Sequence, residues 1–255
     1  MKLSVTGLSF AYPGKPVLQA IESGDLPSGQ VTALLGPNAA GKSTFFRCIA
    51  GLLHPQSGQI MLGDADLHAL DRAERIREVC YMPQSFASNA ALTVFEIVLM
   101  ARKHLRDWRV SDDDIKTVST LLRRFQIEHL AERYIGELSG GQQQMVTLCQ
   151  AMVRSARLFL LDEPTSALDL RHQLEVMHTL RDITRERNTV TIVALHDLNL
   201  AARFADHILL MKAGQVCASG ATEEILASPT LAKTYDVNIE LQRSGEGVLM
   251  VGASL

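Results

Sequence analysis

The segment Gly36-Pro37-Asn38-Ala39-Ala40-Gly41-Lys42-Ser43 has the spacing G-x-x-x-x-G-K-[ST], and Thr44 follows it directly. Such a loop turns tightly enough for its backbone N–H groups to converge on a phosphate beside the positive end of a helix. Gly41 opens backbone conformations closed to other residues, Lys42 supplies a point charge, and the Ser43 hydroxyl can ligate a divalent cation. A Gly-bearing turn with a surface lysine would carry the same letters, so a second element is needed. Leu158-Phe159-Leu160-Leu161-Asp162-Glu163 provides it as an apolar run that stops abruptly at two acids. Carboxylates at the end of a buried strand are costly unless a cation pairs with them. That assigns Asp162 to Mg2+ and Glu163 to an attacking water. A third element, Leu138-Ser139-Gly140-Gly141-Gln142, places a hydroxyl and two glycines at the start of an amphipathic helix, which makes a second anion site.

These residues need a strand before each loop and a helix after it. Val31 to Leu35 is a continuous apolar run, the pattern of a strand covered on both faces, and Thr44 to Leu53 reads as the helix that follows. Further strand-like runs are Leu158 to Leu161, Thr189 to Leu195 and His207 to Met211, with a helical segment from Arg171 to Arg187. Upstream, Leu3 to Val5, Leu8 to Tyr12 and Val17 to Ile21 alternate with Pro and Gly, as in an antiparallel edge sheet. Residues 85–135 read as helical, with candidates Thr93 to His104 and Ser111 to Phe125. In the second, Ser111 and Asp114 fit a capping box, and Ile115, Val118, Leu122 and Phe125 share a face. Beyond Gly141, Met145, Leu148, Cys149 and Met152 form another apolar face. The expected fold is α/β: a phosphate-loop core with a mostly parallel sheet, an N-terminal antiparallel β-subdomain and an inserted α-helical subdomain. Residues 1–84 and 156–255 would form the core and 85–155 the helical insertion, within a single domain.

Composition narrows the class. Of 255 residues, 47% are hydrophobic and 21% charged, which suits one folded α/β domain. A net charge of −3 without Lys/Arg runs argues against nucleic acid and against direct lipid binding. No signal peptide or spanning segment is visible, so the chain is expected in the cytoplasm. Cys48, Cys80, Cys149 and Cys217 are far apart and read as reduced, mostly buried residues without metal spacing.

With LSGGQ standing between a phosphate loop and an acidic strand, the chain resembles the nucleotide-binding subunits of ABC transporters over nearly all its length. The resemblance implies ATP and Mg2+ as ligands. It matches Tyr12 to an aromatic residue that stacks on adenine and Gln84, in Tyr81-Met82-Pro83-Gln84, to a glutamine that senses the γ-phosphate through Mg2+. Asp169, in Ser166-Ala167-Leu168-Asp169, matches a loop that crosses to the opposite subunit, and His196 matches a switch histidine on the γ-phosphate. Metal ligands would be Ser43, Gln84 and Asp162, and Glu163 with His196 would do the chemistry. Two positions depart from the family pattern: Ala39 replaces a common Gly, and Gln143 replaces a common basic residue after the signature.

The resemblance further implies that Ser139, Gly140, Gly141 and Gln142 of one subunit complete the site of a second copy, so that two ATP molecules are sandwiched. Transmembrane permease subunits would hold the dimer at the cytoplasmic face of the membrane, with a substrate-binding protein acting alongside. The runs His196-Asp-Leu-Asn-Leu-Ala-Ala-Arg-Phe-Ala-Asp206 and Thr93-Val-Phe-Glu-Ile-Val-Leu-Met-Ala-Arg102 are similar to importers of ferric siderophores, haem and vitamin B12. In the latter run, Glu96 and Arg102 are expected to serve coupling to the permease. Competing classes are a transporter ATPase for another substrate, a non-transport ABC protein, a phosphate-loop kinase and an ATP-binding scaffold. The kinase leaves the LSGGQ segment without a role, and the scaffold leaves Glu163 and His196 without one.

Overall fold

The computed structural model describes residues 1–84, 91–103, 109–245 and 247–255. Along the chain, strands β1 (Lys2–Tyr12), β2 (Lys15–Ile21), β3 (Gly24–Pro27) and β4 (Val31–Leu35) lead into helix α1 (Lys42–Ile49). Strands β5 (Ser57–Leu62) and β6 (Ala65–Asp66), helix α2 (Arg72–Glu78) and strand β7 (Val79–Met82) come next. Helices α3 (Val94–Lys103), α4 (Asp112–Arg124) and α5 (Gly140–Met152) precede strand β8 (Leu158–Asp162). Then follow α6 (Leu170–Arg187), β9 (Val190–Ala194), α7 (Leu198–Phe204), β10 (His207–Lys212) and β11 (Gln215–Ala221). Helices α8 (Thr222–Ala227) and α9 (Pro229–Tyr235) and the hairpin β12 (Asn238–Arg243) and β13 (Leu249–Ser254) complete the order.

Two sheets dominate. The N-terminal one is antiparallel, with β1 pairing β2, β3 and β5. The second runs β11-β10-β4-β9-β8-β7, parallel from β10 to β7, with β11 antiparallel on its edge. The continuous apolar runs of its central strands split by alternation between two cores. Ala33, Leu35, Phe159, Leu161 and Val193 face a cluster shared with α3, α4 and α5. Leu34, Leu158, Leu160 and Ile192 face Phe45, Phe46 and Ile49 of α1 and the inner side of the antiparallel sheet. Four neighbouring parallel strands, β4, β9, β8 and β7, therefore end at the same edge of the sheet. Ligands of open parallel sheets bind outside these carboxyl ends.

Several expectations shift. The first helix runs over Lys42–Ile49, beginning inside the glycine loop and stopping short of Leu53, because Gly51 turns the chain with φ of 71°. In α4 the capping box of Ser111 and Asp114 is present, but Ile115 is exposed, and Leu121 takes the core face with Val118, Leu122 and Phe125. Three cysteines are buried, burial holding the Cys48 thiol up at about 11, whereas Cys217 lies exposed on β11. His104 and residues 85–90 fall outside the described residues. The strand-like run from His207 is β10, whereas α7, the elements from β11 to β13, and β5, β6 and α2 were not anticipated.

Glu96 and Arg102 already have partners within the chain. The Glu96 carboxylate accepts from the Thr93 backbone N–H at 2.8 Å and from its hydroxyl at 2.9 Å, closing the start of α3. Arg102 is largely buried and pairs with Asp113 at 3.0 Å and Asp114 at 3.2 Å, while Lys103 reaches Asp114 at 3.0 Å. Both residues thereby hold α3 in place. Lys103, with the Ser111 amide, keeps the Asp114 carboxyl well below the usual carboxylate range. Because that pKa is depressed on folding, the stabilisation is present at neutral pH and is lost as pH falls through the acid range. Arg102→Glu is accordingly expected to lower the urea midpoint of the isolated chain, since it sets a third acid against Asp113 and Asp114. An unchanged midpoint would show that the network contributes nothing.

Candidate nucleotide site

Strand β4 delivers Gly36 to the sheet edge with φ of 149°, and a Cβ there would meet the Met211 carbonyl oxygen at 2.2 Å. Gly41 has φ of 103° and forms the N-cap of α1 without a side-chain cap, so the first-turn N–H groups are left to the loop. Ala39 does adopt positive φ, 62°, a left-handed conformation costing an alanine about 1–2 kcal/mol that a glycine would avoid. Lys42 folds back over the loop, donating to the Gly36 carbonyl at 2.6 Å and the Pro37 carbonyl at 3.2 Å. Burial lowers its pKa, against the pull of Glu163 and Asp162.

Strand β8 carries the acids. Asp162 is 2% exposed, and burial raises its pKa, with the neighbouring Ser43 hydroxyl opposing and the Glu163 charge adding to the rise. One carboxylate oxygen accepts from the Tyr81 hydroxyl at 3.3 Å, while Oδ1 is buried without a partner. Such an orphaned oxygen beside the Ser43 hydroxyl fits a divalent cation, whose charge would remove the penalty of burying the carboxylate. Asp162→Asn is therefore expected to raise the melting temperature of the Mg2+-free protein at neutral pH and to abolish any rise on adding Mg2+ with nucleotide. Thermal scans with and without Mg2+ check this, and an undiminished Mg2+ effect in the variant would exclude Asp162 as a ligand.

Glu163 lies just past β8 with φ of 53°. Its carboxylate accepts from Gln84 Nε2 at 2.6 Å and makes a short contact with His196 Nε2. Gln84 follows β7 and His196 follows β9, so three strand ends meet at this one side chain. A cavity of about 890 Å³ opens there, lined by residues 38–44 of the loop, Tyr12, Lys15, Gln84, Glu163 and His196. Its size suits a small organic ligand. Tyr12 packs edge-on to Phe10 with ring centroids 4.9 Å apart and is 37% exposed, leaving it free to meet a planar group.

Ser139, Gly140, Gly141, Gln142 and Asp169 are not among the cavity walls. Ser139 caps α5 in a reciprocal box with Gln142, and a Cβ on Gly140 would meet nothing within 4 Å. Gly141 differs: a Cβ there would sit 2.9 Å from the Ala167 carbonyl oxygen, so α5 approaches the loop after Glu163 at backbone distance. Asp169 caps α6, accepting from the His172 N–H at 2.9 Å. Some site residues escaped the sequence reading. Tyr81 on Asp162 could have been suspected from its place before Gln84. The Tyr235 hydroxyl, which accepts from the Gly36 N–H at 2.9 Å, comes from α9 and left no local signal.

Known proteins resemble this chain over most of its length. A family profile described as ABC transporter matches residues 21–166. An uncharacterized ABC transporter ATP-binding protein of Methanocaldococcus jannaschii is 42% identical over 95% of this chain and 94% of its own length. The achromobactin transport ATP-binding protein of Dickeya dadantii is 34% identical over 92% of this chain and 87% of its own. Among solved structures, an inward-facing transporter assigned to the metal-chelate type matches with a TM-score of 0.83 at 29% identity, covering all of this chain and 97% of that one.

Proposed function

Because this chain belongs to the ABC transporter family as an ATP-binding subunit with ATPase activity, we propose that its sheet-edge cavity hydrolyses ATP to drive import of a metal chelate of the siderophore, haem or cobalamin type. The observation that carries the site assignment is the convergence of four strand ends on one cavity. The phosphate loop follows β4, His196 follows β9, Glu163 follows Asp162 at the end of β8, and Gln84 follows β7.

The chemistry follows from these positions. Tyr12 stacks on the base, and backbone N–H groups within residues 38–44 receive the phosphates. Lys42 leaves the loop carbonyls for the terminal phosphates, a transfer made easier because its charge is poorly solvated where it now lies. Ser43 and Asp162, with Gln84 nearby, would hold Mg2+, which supplies charge neutralisation at the phosphate oxygens when bound. Glu163 orients the attacking water and takes its proton, while His196 keeps the γ-phosphate in line. Phosphoryl transfer asks for little covalent help, so positioning and charge stabilisation provide most of the rate.

The exposed start of α5 offers Ser139 and Gly140 to a second copy. In that arrangement ATP held by one subunit is completed by the signature of the other, and Asp169 lies on the loop between them. Permease subunits would dock on the helical region within residues 85–135, and a substrate-binding protein would deliver the cargo. No helix among the described residues is long and apolar enough to cross a membrane, which leaves a separate membrane subunit to form the path. The chelate assignment is supported by the achromobactin and metal-chelate relatives. A deletion strain should lose uptake of one chelate class and recover it with the wild-type gene. Unchanged uptake of siderophore, haem and cobalamin in that strain, with other transporters removed, would end the cargo assignment.

A further inference from the structure

We propose that Gln144 is a positioning residue for ATP hydrolysis, a strut from the signature helix that fixes the backbone from which Glu163 projects. The proposal rests on the reading of Glu163 as the group that handles the attacking water. Gln144 is the fifth residue of α5 and is 9% exposed, and a buried amide is costly unless its polar atoms are paired. Its partners lie on the turn that follows β8. Nε2 donates to the Glu163 carbonyl at 2.8 Å and to the Ser166 hydroxyl at 3.2 Å, and Oε1 accepts from the Ala167 N–H at 2.8 Å.

Glu163 needs such support. Its φ of 53° lies in the left-handed region, which is strained for a residue with a Cβ and persists only where surrounding bonds over-determine it. On one side the ladder does this, since Asp162 pairs with Ala194. On the other side three donors converge on the Glu163 carbonyl: the Ser166 N–H at 3.3 Å, the Ser166 hydroxyl at 3.1 Å and Gln144. Fixing that carbonyl fixes ψ, and with it the direction in which the side chain leaves toward Gln84 and His196. Gly141, one turn earlier on α5, has no room for a Cβ against Ala167, so helix and loop meet as a close-packed unit. The neighbouring Gln143 points away from that loop, donating to the carbonyls of Ile135 and Leu138. The two adjacent amides thus bind the segment before the signature and the segment after Glu163 to one helical turn. A shift of α5 at its exposed start would be passed to Glu163 of the same chain through Gln144.

The test compares Gln144→Met, of similar length without the hydrogen bonds, and Gln144→Asn, which keeps the amide but cannot reach. Full-length variants are assayed for phosphate release, for affinity to a fluorescent ATP analogue and for melting temperature. Each folded variant is expected to lose kcat by about tenfold or more, the scale on which small misplacements act, with KM and analogue affinity within about twofold of wild type. A residue that only packed α5 would lower the melting temperature and leave kcat per folded molecule intact, and that result in either variant would overturn the proposal while Glu163→Gln remained inactive. Normal turnover by Glu163→Gln would instead overturn the reading of Glu163, and the strut with it.

Discussion

Glu163→Gln is expected to bind ATP as wild type does and to lose turnover by about 10²–10⁴-fold, the range over which a positioned acid–base group acts. The amide preserves volume and can still meet Gln84 and His196, but it cannot accept a proton from water. Lys42→Ala is expected to fail earlier, weakening ATP binding by about 10- to 100-fold, the worth of a hydrogen bond to a charged group. Within the chain the lysine bonds the Gly36 and Pro37 carbonyls and feels the charges of Glu163 and Asp162. Equilibrium binding and phosphate release, measured on both proteins, separate the two effects. Turnover at the wild-type rate in Glu163→Gln would remove Glu163 from the mechanism.

How much of this was legible beforehand depends on how local the signal is. The phosphate loop, the acidic strand end and the signature each announce themselves within eight consecutive residues or fewer, and all three stand where the elements require. The parallel core was legible because strands covered on both faces are apolar without interruption, as in Val31–Leu35 and Leu158–Leu161. Helix limits were less so, since a single glycine with positive φ, Gly51, ended α1 before the apolar run did. Glu96 and Arg102 show a different limit. Exposed charges on a helix invite a partner, and only the fold reveals that one closes a cap and the other joins a buried network. Tyr235 and Gln144 act across 199 and 19–23 residues of sequence, so neither spacing nor periodicity could announce them.

The second large effect concerns assembly. Ser139→Arg is expected to abolish both ATP-driven dimerisation of the Glu163→Gln protein and hydrolysis by the otherwise unaltered chain. An arginine there would put bulk and charge where Gly140 faces open space and where the helix N-terminus would receive a phosphate. ATP affinity of the isolated chain should be unaffected, because Ser139 does not touch the cavity that its own chain forms. Sedimentation with and without ATP gives the answer for dimerisation.

Mixing two inactive proteins tests the shared site most directly. Ser139→Arg retains a whole phosphate loop and Glu163, and Lys42→Ala retains a whole signature, so a dimer of one with the other contains one complete site. Phosphate release from the mixture, absent from either protein alone, is the result predicted. A mixture as inactive as its components, under conditions where the wild-type chain hydrolyses ATP, would contradict a site built from two copies.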